Sequence, residues 1–251
     1  MNRFSDNAVR RTVFISDLHL SDDTPDLNAL FACCLEQWRG KIDALYILGD
    51  LFDAWVGDDA ADGAAREAAG CLKNFAVETP VYFICGNRDF LLGERFARAS
   101  GIQLLPAQQL IDLYGKQMIL LHGDEMCTAD KKYLRYRRII RHPWVCGVLS
   151  ALPLKTRLRI AVKLREASRR SKARNGLSEI SDVTGQGVSE VLARFPDADG
   201  MIHGHTHRRN CHIHSAGEKT VRRWVLPDWK HGQGGCLNVF ADGRYEWETL
   251  K

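Results

Sequence analysis

Apolar, β-branched runs alternate along this chain with stretches in which apolar residues recur at helical spacing. Thr12–Ser16 (TVFIS), Ala44–Leu48 (ALYIL) and Val81–Cys85 (VYFIC) read as strands. Asp26–Trp38, an Ala-rich segment over 60–77 and the shorter Gly93–Ser100 read as the helices between them. Gln109–Leu113 and Gln117–Leu121, separated by Tyr-Gly-Lys, predict a hairpin. From 129 to 195 strand patterning is absent and the segment reads as helical, with Pro143 and Pro153 as breakers. Strands resume at Gly200–Ile202, Val221–Leu226 and Cys236–Phe240. This alternation predicts an α/β fold, β-sheets flanked by helices, formed by 1–128 and 196–251, with 129–195 as a helical insertion.

Five of these apolar runs end in residues of one chemical kind. TVFIS leads to Asp17 and His19, ALYIL to Asp50, VYFIC to Asn87, Arg88 and Asp89, QMILL to His122, and GMI to His203, His205 and His207. The carboxyl ends of strands are where α/β sheets gather their sites. In an extended chain Asp17 and His19 point the same way, as do His205 and His207. Together with Asp50, Asn87 and His122 they make seven nitrogen and oxygen ligands without a thiolate. Seven exceed the needs of one tetrahedral zinc. They suit two divalent ions that share a carboxylate and keep positions open for water or substrate. His203 shares the parity of His205 and His207 but sits nearer the strand, which suggests an orienting role; His212 and His214 begin a new element.

Charge adds a second feature. The formal net charge is only +4, yet 131–174 carries 15 Lys and Arg and a single acid, Glu166, so the remainder is net acidic. A basic insert of this kind calls for an anionic partner: phosphate, nucleic acid or anionic lipid. Within it, 142–154 is apolar but too short to cross a bilayer, and 155–170 is a basic amphipathic helix with Leu158, Ala161, Val162 and Arg165 on one stripe. Aromatic residues are sparse there, which gives little support to a base-stacking surface. Eight cysteines without a C-x-x-C pair, and a start lacking a signal-peptide pattern, lead us to expect a reduced cytosolic protein able to rest on a membrane.

The series D-x-H, G-D, G-N, H-G and G-H-x-H, in this order over 17–207, resembles the calcineurin-like metallophosphoesterases. "FISDLHLSDDTPDL", "ALYILGDLFDAWVGDD", "FICGNRDFLLGERFARASGIQLLP", "HGDEMCTAD" and "IHGHTHR" are similar, over nearly the whole chain, to the branch that hydrolyses UDP-2,3-diacylglucosamine in lipid A biosynthesis. The resemblance implies that Asp17, His19, Asp50 and His207 hold one metal ion. Asp50, Asn87, His122 and His205 would hold the other, with Asp50 bridging and Mn²⁺ the usual ion. It implies attack of metal-activated water on the α-phosphorus, releasing UMP and 2,3-diacylglucosamine 1-phosphate, with Asp50, Asn87, Arg88 and His122 in the catalytic set. Arg88 replaces the His of most relatives; its planar fork matches phosphate oxygens, and Asp89 beside it is the alternative partner. Substrate contacts are implied for Asn87, Arg88, Asp130, Arg165, Ser168 and His205. The stretch "SRRSKARNG" is one residue longer than the family pattern, which leaves Lys172 and Asn175 as alternatives there. The insertion becomes a lid over acyl chains, and the partners a lipid-linked UDP-sugar and the cytoplasmic face of the inner membrane, with no nucleic acid and no obligate protein. A general metallophosphatase or a nuclease on the same core is the alternative. In "VLPDW", Pro227 stands where relatives tend to carry Gly.

Overall fold

A computed structural model of the chain describes residues 9–175, 182–217 and 219–251, except the side chains of 167–175 and 216. The first half runs β1 (Arg11–Ile15), α1 (Pro25–Trp38), β2 (Ala44–Ile47), α2 (Gly63–Ala76), β3 (Val81–Phe83), α3 (Glu94–Ser100) and the two-residue β4 (Gln103–Leu104). These four strands are parallel neighbours, and β10 (Gly234–Phe240) and β11 (Tyr245–Leu250) extend the β1 edge antiparallel, giving the order β11-β10-β1-β2-β3-β4. A second sheet has the order β5-β6-β7-β9-β8, from β5 (Gln108–Leu113), β6 (Lys116–Leu121), β7 (Gly200–His203), β8 (Asn210–Ala216) and β9 (Lys219–Val225).

Side-chain alternation along the strands sorts the interior into layers. Val13, Ile15, Leu45, Ile47, Val81 and Phe83 face α1, α2 and α3. Their neighbours Phe14, Leu48 and Ile84 turn the other way and meet Met118, Leu120, Ile202 and Leu226 of the second sheet. The far face of that sheet, with Ile119, Leu121 and Met201, is covered by Val188, Val191 and Leu192 of a helix over Gly185–Arg194. Both sheets are therefore buried on two faces, which explains the continuous apolar runs of β1, β2 and β6. Phe14, Tyr46 and Tyr82, in register on β1, β2 and β3, stack with centroids 5.1 and 4.7 Å apart and tie the parallel strands together.

Three strands were not legible in the pattern. β4 is too short for periodicity, β8 (NCHIHSA) is a polar edge, and β11 (YEWETL) is another edge with charged residues on one face. The β5–β6 turn is tight: Leu113 pairs with Lys116, leaving Tyr114 and Gly115 at φ 55° and 82°, the left-handed pair of a two-residue hairpin. The helix over 185–194, grouped with the insertion by its position in the chain, contributes to the core of the second sheet as just described.

The rest of the insertion is α4 (Lys131–Ile140), α5 (Pro143–Ala151) and α6 (Leu154–Asn175). Pro143 opens α5 at its first turn, where a missing N–H costs nothing, and Leu154 follows Pro153 to begin α6. Neither α4 nor α5 contains a buried residue. Among the described residues, no helix is long and apolar enough to cross a membrane.

Candidate active site

The loops that leave β1, β2, β3, β6 and β7 converge at one end of the two sheets, held by backbone hydrogen bonds between them. Asp17 N donates to Gly49 O and His19 N to Asp50 O, each at 3.0 Å, while Gly204 N donates to His122 O at 2.9 Å. Among the described residues seven non-glycine residues have positive φ, and five of them are Asp17 (56°), His19 (54°), Asp50 (53°), His205 (67°) and His207 (59°). Each left-handed residue costs on the order of 1–3 kcal/mol, and such strain persists where the surroundings impose it. The pairs Asp17/His19 and His205/His207 do converge, but the reason differs from the extended chain assumed from sequence: both members of each pair are in left-handed turns. Two glycines permit the close approach. A Cβ on Gly86 would collide with the Asp50 carboxylate, and one on Gly204 with Ser16 and the Asp17 carboxylate.

Ligand atoms of Asp17, His19 and His207 lie within 4.8 Å of one another, as do those of Asp17, Asp50 and His122. Asp17 Oδ2 accepts from Ser16 Oγ at 2.7 Å and from His205 N at 2.8 Å, which aims the carboxylate. Its Oδ1 and both ring nitrogens of His19 are buried without a hydrogen-bond partner. His122 Nδ1 donates to Leu48 O at 2.8 Å and its Nε2 lies 3.0 Å from Asn87 Oδ1, while against the effect of burial Asp50 and Asp17 raise its pKa. His205 Nδ1 lies 2.9 Å from the same oxygen. Lone pairs facing one another in a buried site need a proton or a metal ion between them. The seven residues thus fit a divalent cation site, with no sulfur donor among them.

Burial shapes the charges here. Desolvation, with Arg88 nearby, pushes His19 down to about 3, and desolvation with His122 nearby does the same to His205, so both imidazoles are neutral and ready to coordinate. Burial raises Asp50 to about 7, with Asp89 and Asp17 adding to the rise against His122. Burial opposes the ionisation of Asp17 as well, but His207 and His122 hold it well below the usual carboxylate range. For His207 burial is outweighed by the carboxylates of Asp17 and Asp228, each 3.3 Å from a ring nitrogen, which raise it to about 9.

Arg88 does not pair with Asp89. Asp89 is fully buried and accepts from Gly86 N at 2.7 Å and Leu51 N at 2.8 Å, a role in shaping two loops. Arg88 instead pairs with Asp53, lies 3.6 Å from Asp50 Oδ2 through Nε, and donates its backbone N–H to Asp50 Oδ1 at 2.9 Å. Asp53 also pairs with Arg165 of α6, so one carboxylate gathers an arginine of the core and one of the insertion. A second ion pair, Arg157 to Asp59, docks α6 onto the same loop, with Arg157 Nη1 donating to Val56 O at 2.7 Å.

The insertion reaches the site at a third point that the sequence reading passed over. Asp124, fully buried after the His122-Gly123 turn, accepts from Tyr133 Oη at 2.6 Å and pairs with Arg137 at 2.6 Å and Arg141 at 3.5 Å. Tyr133, Arg137 and Arg141 are four apart, so one face of α4 closes on one carboxylate. Arg141 also donates to Gly86 O at 2.6 Å, and the Tyr133 ring stacks near His205, 6.3 Å between centroids. Asp130 caps α4, accepting from Tyr133 N at 2.8 Å. Asp228, also overlooked, lies 3.3 Å from His207 Nδ1. Both were marked only as acids beside a motif, H-G-D and P-D-W, and a lone acid in a loop is a common residue. His203 is buried between Gly204 O, 2.9 Å from Nδ1, and Arg223, 2.8 Å from Nε2. The side chains of Ser168, Lys172 and Asn175 lie outside the described residues.

Known proteins resemble this chain closely. Residues 10–209 match the model of the calcineurin-like phosphoesterase family. The UDP-2,3-diacylglucosamine hydrolase of Chromobacterium violaceum is 47% identical over 232 residues, covering 92% of this chain and 94% of that protein. The protein of the same name from Coxiella burnetii (strain RSA 331) is 43% identical over 243 residues, 97% of this chain and 99% of that one. A hypothetical protein of Pyrococcus horikoshii OT3, 10% identical, shares the fold with a TM-score of 0.50 over 96% of this chain and 88% of its own. The chain is a hydrolase of the calcineurin-like phosphoesterase family and belongs, within it, with the UDP-2,3-diacylglucosamine hydrolases.

Proposed function

We propose that this enzyme hydrolyses UDP-2,3-diacylglucosamine to UMP and 2,3-diacylglucosamine 1-phosphate, a step of lipid A biosynthesis. The observation that carries the reading is the convergence on one site of a seven-residue N/O donor set, a phosphate-matching Arg88, and an insertion whose apolar side chains face outward. Asp17, His19, Asp50 and His207 would hold one divalent cation and Asp50, Asn87, His122 and His205 the other, Mn²⁺ being our assignment. Bound there, the cations supply Lewis acidity toward phosphoryl oxygens and a nucleophilic water near neutral pH.

The chain's own residues do the rest. Arg88 stays cationic at every working pH and offers a forked donor to the diphosphate, so it binds and neutralises charge without moving a proton. Asp53 keeps that fork aimed by holding its Nη1, and presents Arg165 beside it. His122, 1% exposed, shields one side of the reacting centre from bulk solvent. In this reading 130–175 is a lid. Trp144, Val148, Leu154, Leu158 and Val162, 41–74% exposed, give the acyl chains an apolar bed, and its cations face anionic lipid at the cytoplasmic face of the inner membrane. Asp130, Arg165, Ser168 and Lys172 or Asn175 are its substrate contacts.

The test measures UMP release from UDP-2,3-diacylglucosamine with Mn²⁺ and after chelation, beside p-nitrophenyl phosphate. Metal-dependent UMP release is the expected result. Turnover of p-nitrophenyl phosphate with none of the lipid substrate would overturn the reading.

A further inference from the structure

A cavity of about 390 Å³ lies beside the His205–His207 turn. Thr206, between those two histidines, forms its edge toward the site, and Asp182, Arg208, Asn210, His212 and Arg223 line it. Helices α4 and α6 dock through the loops after β2, β3 and β6, whereas this cavity is lined by β8, β9, the loop after β7 and Asp182-Val183, which precede the 185–194 helix. Its volume falls in the range of small-molecule clefts, roughly 300–1,000 Å³.

Arg223 is the feature that asks for a ligand. It is 6% exposed, and among the described residues no carboxylate forms an ion pair with it. Its Nε donates to His214 Nε2 at 3.0 Å and its Nη1 to His203 Nε2 at 2.8 Å. Those bonds fix the guanidinium plane, no hydrogen bond of Nη2 is present among the described residues, and Arg223 lines the cavity. A buried guanidinium with two ring nitrogens as its hydrogen-bond partners has donors left for an acceptor from a ligand. Arg208 brings a second guanidinium and pairs with Asp182, whose oxygens retain lone pairs.

We infer that this cavity is the subsite for the nucleoside end of the substrate, taking a uracil ring. The inference rests on the proposed diphosphate hydrolysis, because a phosphorus bound between His205 and His207 projects its two substituents to opposite sides. The lipid sugar goes beneath the insertion and the nucleoside passes Thr206. Uracil presents acceptor, donor, acceptor along its imide edge. Arg223 and Arg208 supply N–H donors to the two carbonyls, and Asp182 accepts from the ring N–H. Cytosine reverses two of those three positions and meets the same set poorly.

Calorimetric titration of the Mn²⁺-loaded full chain with UMP, CMP and ribose 5-phosphate tests this. UMP is expected to bind about tenfold or more tighter than ribose 5-phosphate and CMP, the effect of two or three buried hydrogen bonds. Arg223→Met should bring the UMP to ribose 5-phosphate ratio below about twofold. Arg208→Ala, at a half-exposed position that leaves the buried histidine contacts intact, gives the same readout should Arg223→Met fail to fold. Equal binding of UMP and ribose 5-phosphate by the unaltered protein, or a ratio that survives both substitutions, overturns the inference. A protein that prefers UMP in this Arg223-dependent way yet releases none from the lipid substrate keeps the cavity and loses the proposed reaction. Lipid hydrolysis with no base preference does the reverse.

Discussion

Phe14, Leu48 and Ile84 are fully buried between the two sheets, whereas Trp144, Leu158 and Val162 in the insertion are 74%, 48% and 52% exposed. The arginines are distributed the opposite way. Arg157 of α6 is 5% exposed, and Arg137 of α4 and Arg141 at its C-terminal cap turn inward to Asp124, while Ile139, Leu158 and Val162 of the same two helices face out. The stripe read from the sequence, Leu158, Ala161, Val162 and Arg165, therefore splits: Arg165 turns to Asp53 and Leu158 and Val162 to solvent. The core is held by removal of apolar area from water, on the order of 25 cal/mol per Å². The insertion is fastened by a few ion pairs to Asp53, Asp59 and Asp124, which leaves its apolar surface available. One region spends its hydrophobic residues on folding; the other keeps them for a partner.

This contrast can be broken at its centre first. Asp50→Ala removes the one carboxylate common to both proposed ion sites and is expected to lower kcat by about 10³-fold or more, read as UMP release at saturating Mn²⁺. Arg88→Lys keeps the charge and loses the fork; kcat/KM should fall about 10²-fold, with the melting temperature nearly unchanged. Phe14→Ala, in the core, should cost about 3–5 kcal/mol of stability by denaturant titration, and Leu158→Ala less than about 0.5 kcal/mol. Similar losses at the two positions would mean that the insertion has an interior of its own. Trp144→Asp should raise KM for the diacylated substrate about tenfold while a water-soluble phosphodiester is turned over as before.

A smaller effect tests how the site is tuned. In the metal-free protein His207 sits above its unfolded value of about 6.5, at about 9. A raised histidine contributes stability that is fully present below about 6.5 and is lost as pH rises through about 9. Metal competes with that proton, so affinity for Mn²⁺ should rise over the same interval. Asp228→Asn keeps an acceptor but removes one of the two negative charges that hold the His207 proton. It should shift the stability loss to lower pH and weaken metal affinity by about 10–100-fold, measured by thermal melts across pH and by metal titration.

Much of this was legible in advance where a residue's meaning is local. Continuous apolar runs marked β1, β2, β3 and β6 because strands buried on both faces cannot alternate. The polar residues that followed them marked the site, since loops at one end of a sheet must meet. Arg88 stood out as a forked cation beside Asn87. Asp53, Asp124 and Asp228 did not, because an acid's role depends on which distant cation reaches it: Arg165 lies 112 positions from Asp53 in the chain. The orientation of α4 and α6 was equally hidden. Amphipathic spacing defines two faces, and only the partner decides which one turns inward.

By itself, the sequence determined the strands other than β4, β8 and β11, the order of their polar ends, and a donor set of nitrogen and oxygen, for these depend on periodicity and residue chemistry alone. Tertiary structure decided three further things. It placed five of the site's residues in left-handed turns, a conformation imposed by hydrogen bonds between loops far apart in the chain. It turned Arg137, Arg141, Arg157 and Arg165 of the insertion toward carboxylates of the core, and Trp144, Leu158 and Val162 toward solvent. And it enclosed Arg223 between His203 and His214, leaving a buried cation at the wall of a cavity. Each depends on long-range contacts that desolvate a charge or constrain a backbone, and such contacts exist only once the chain has closed on itself.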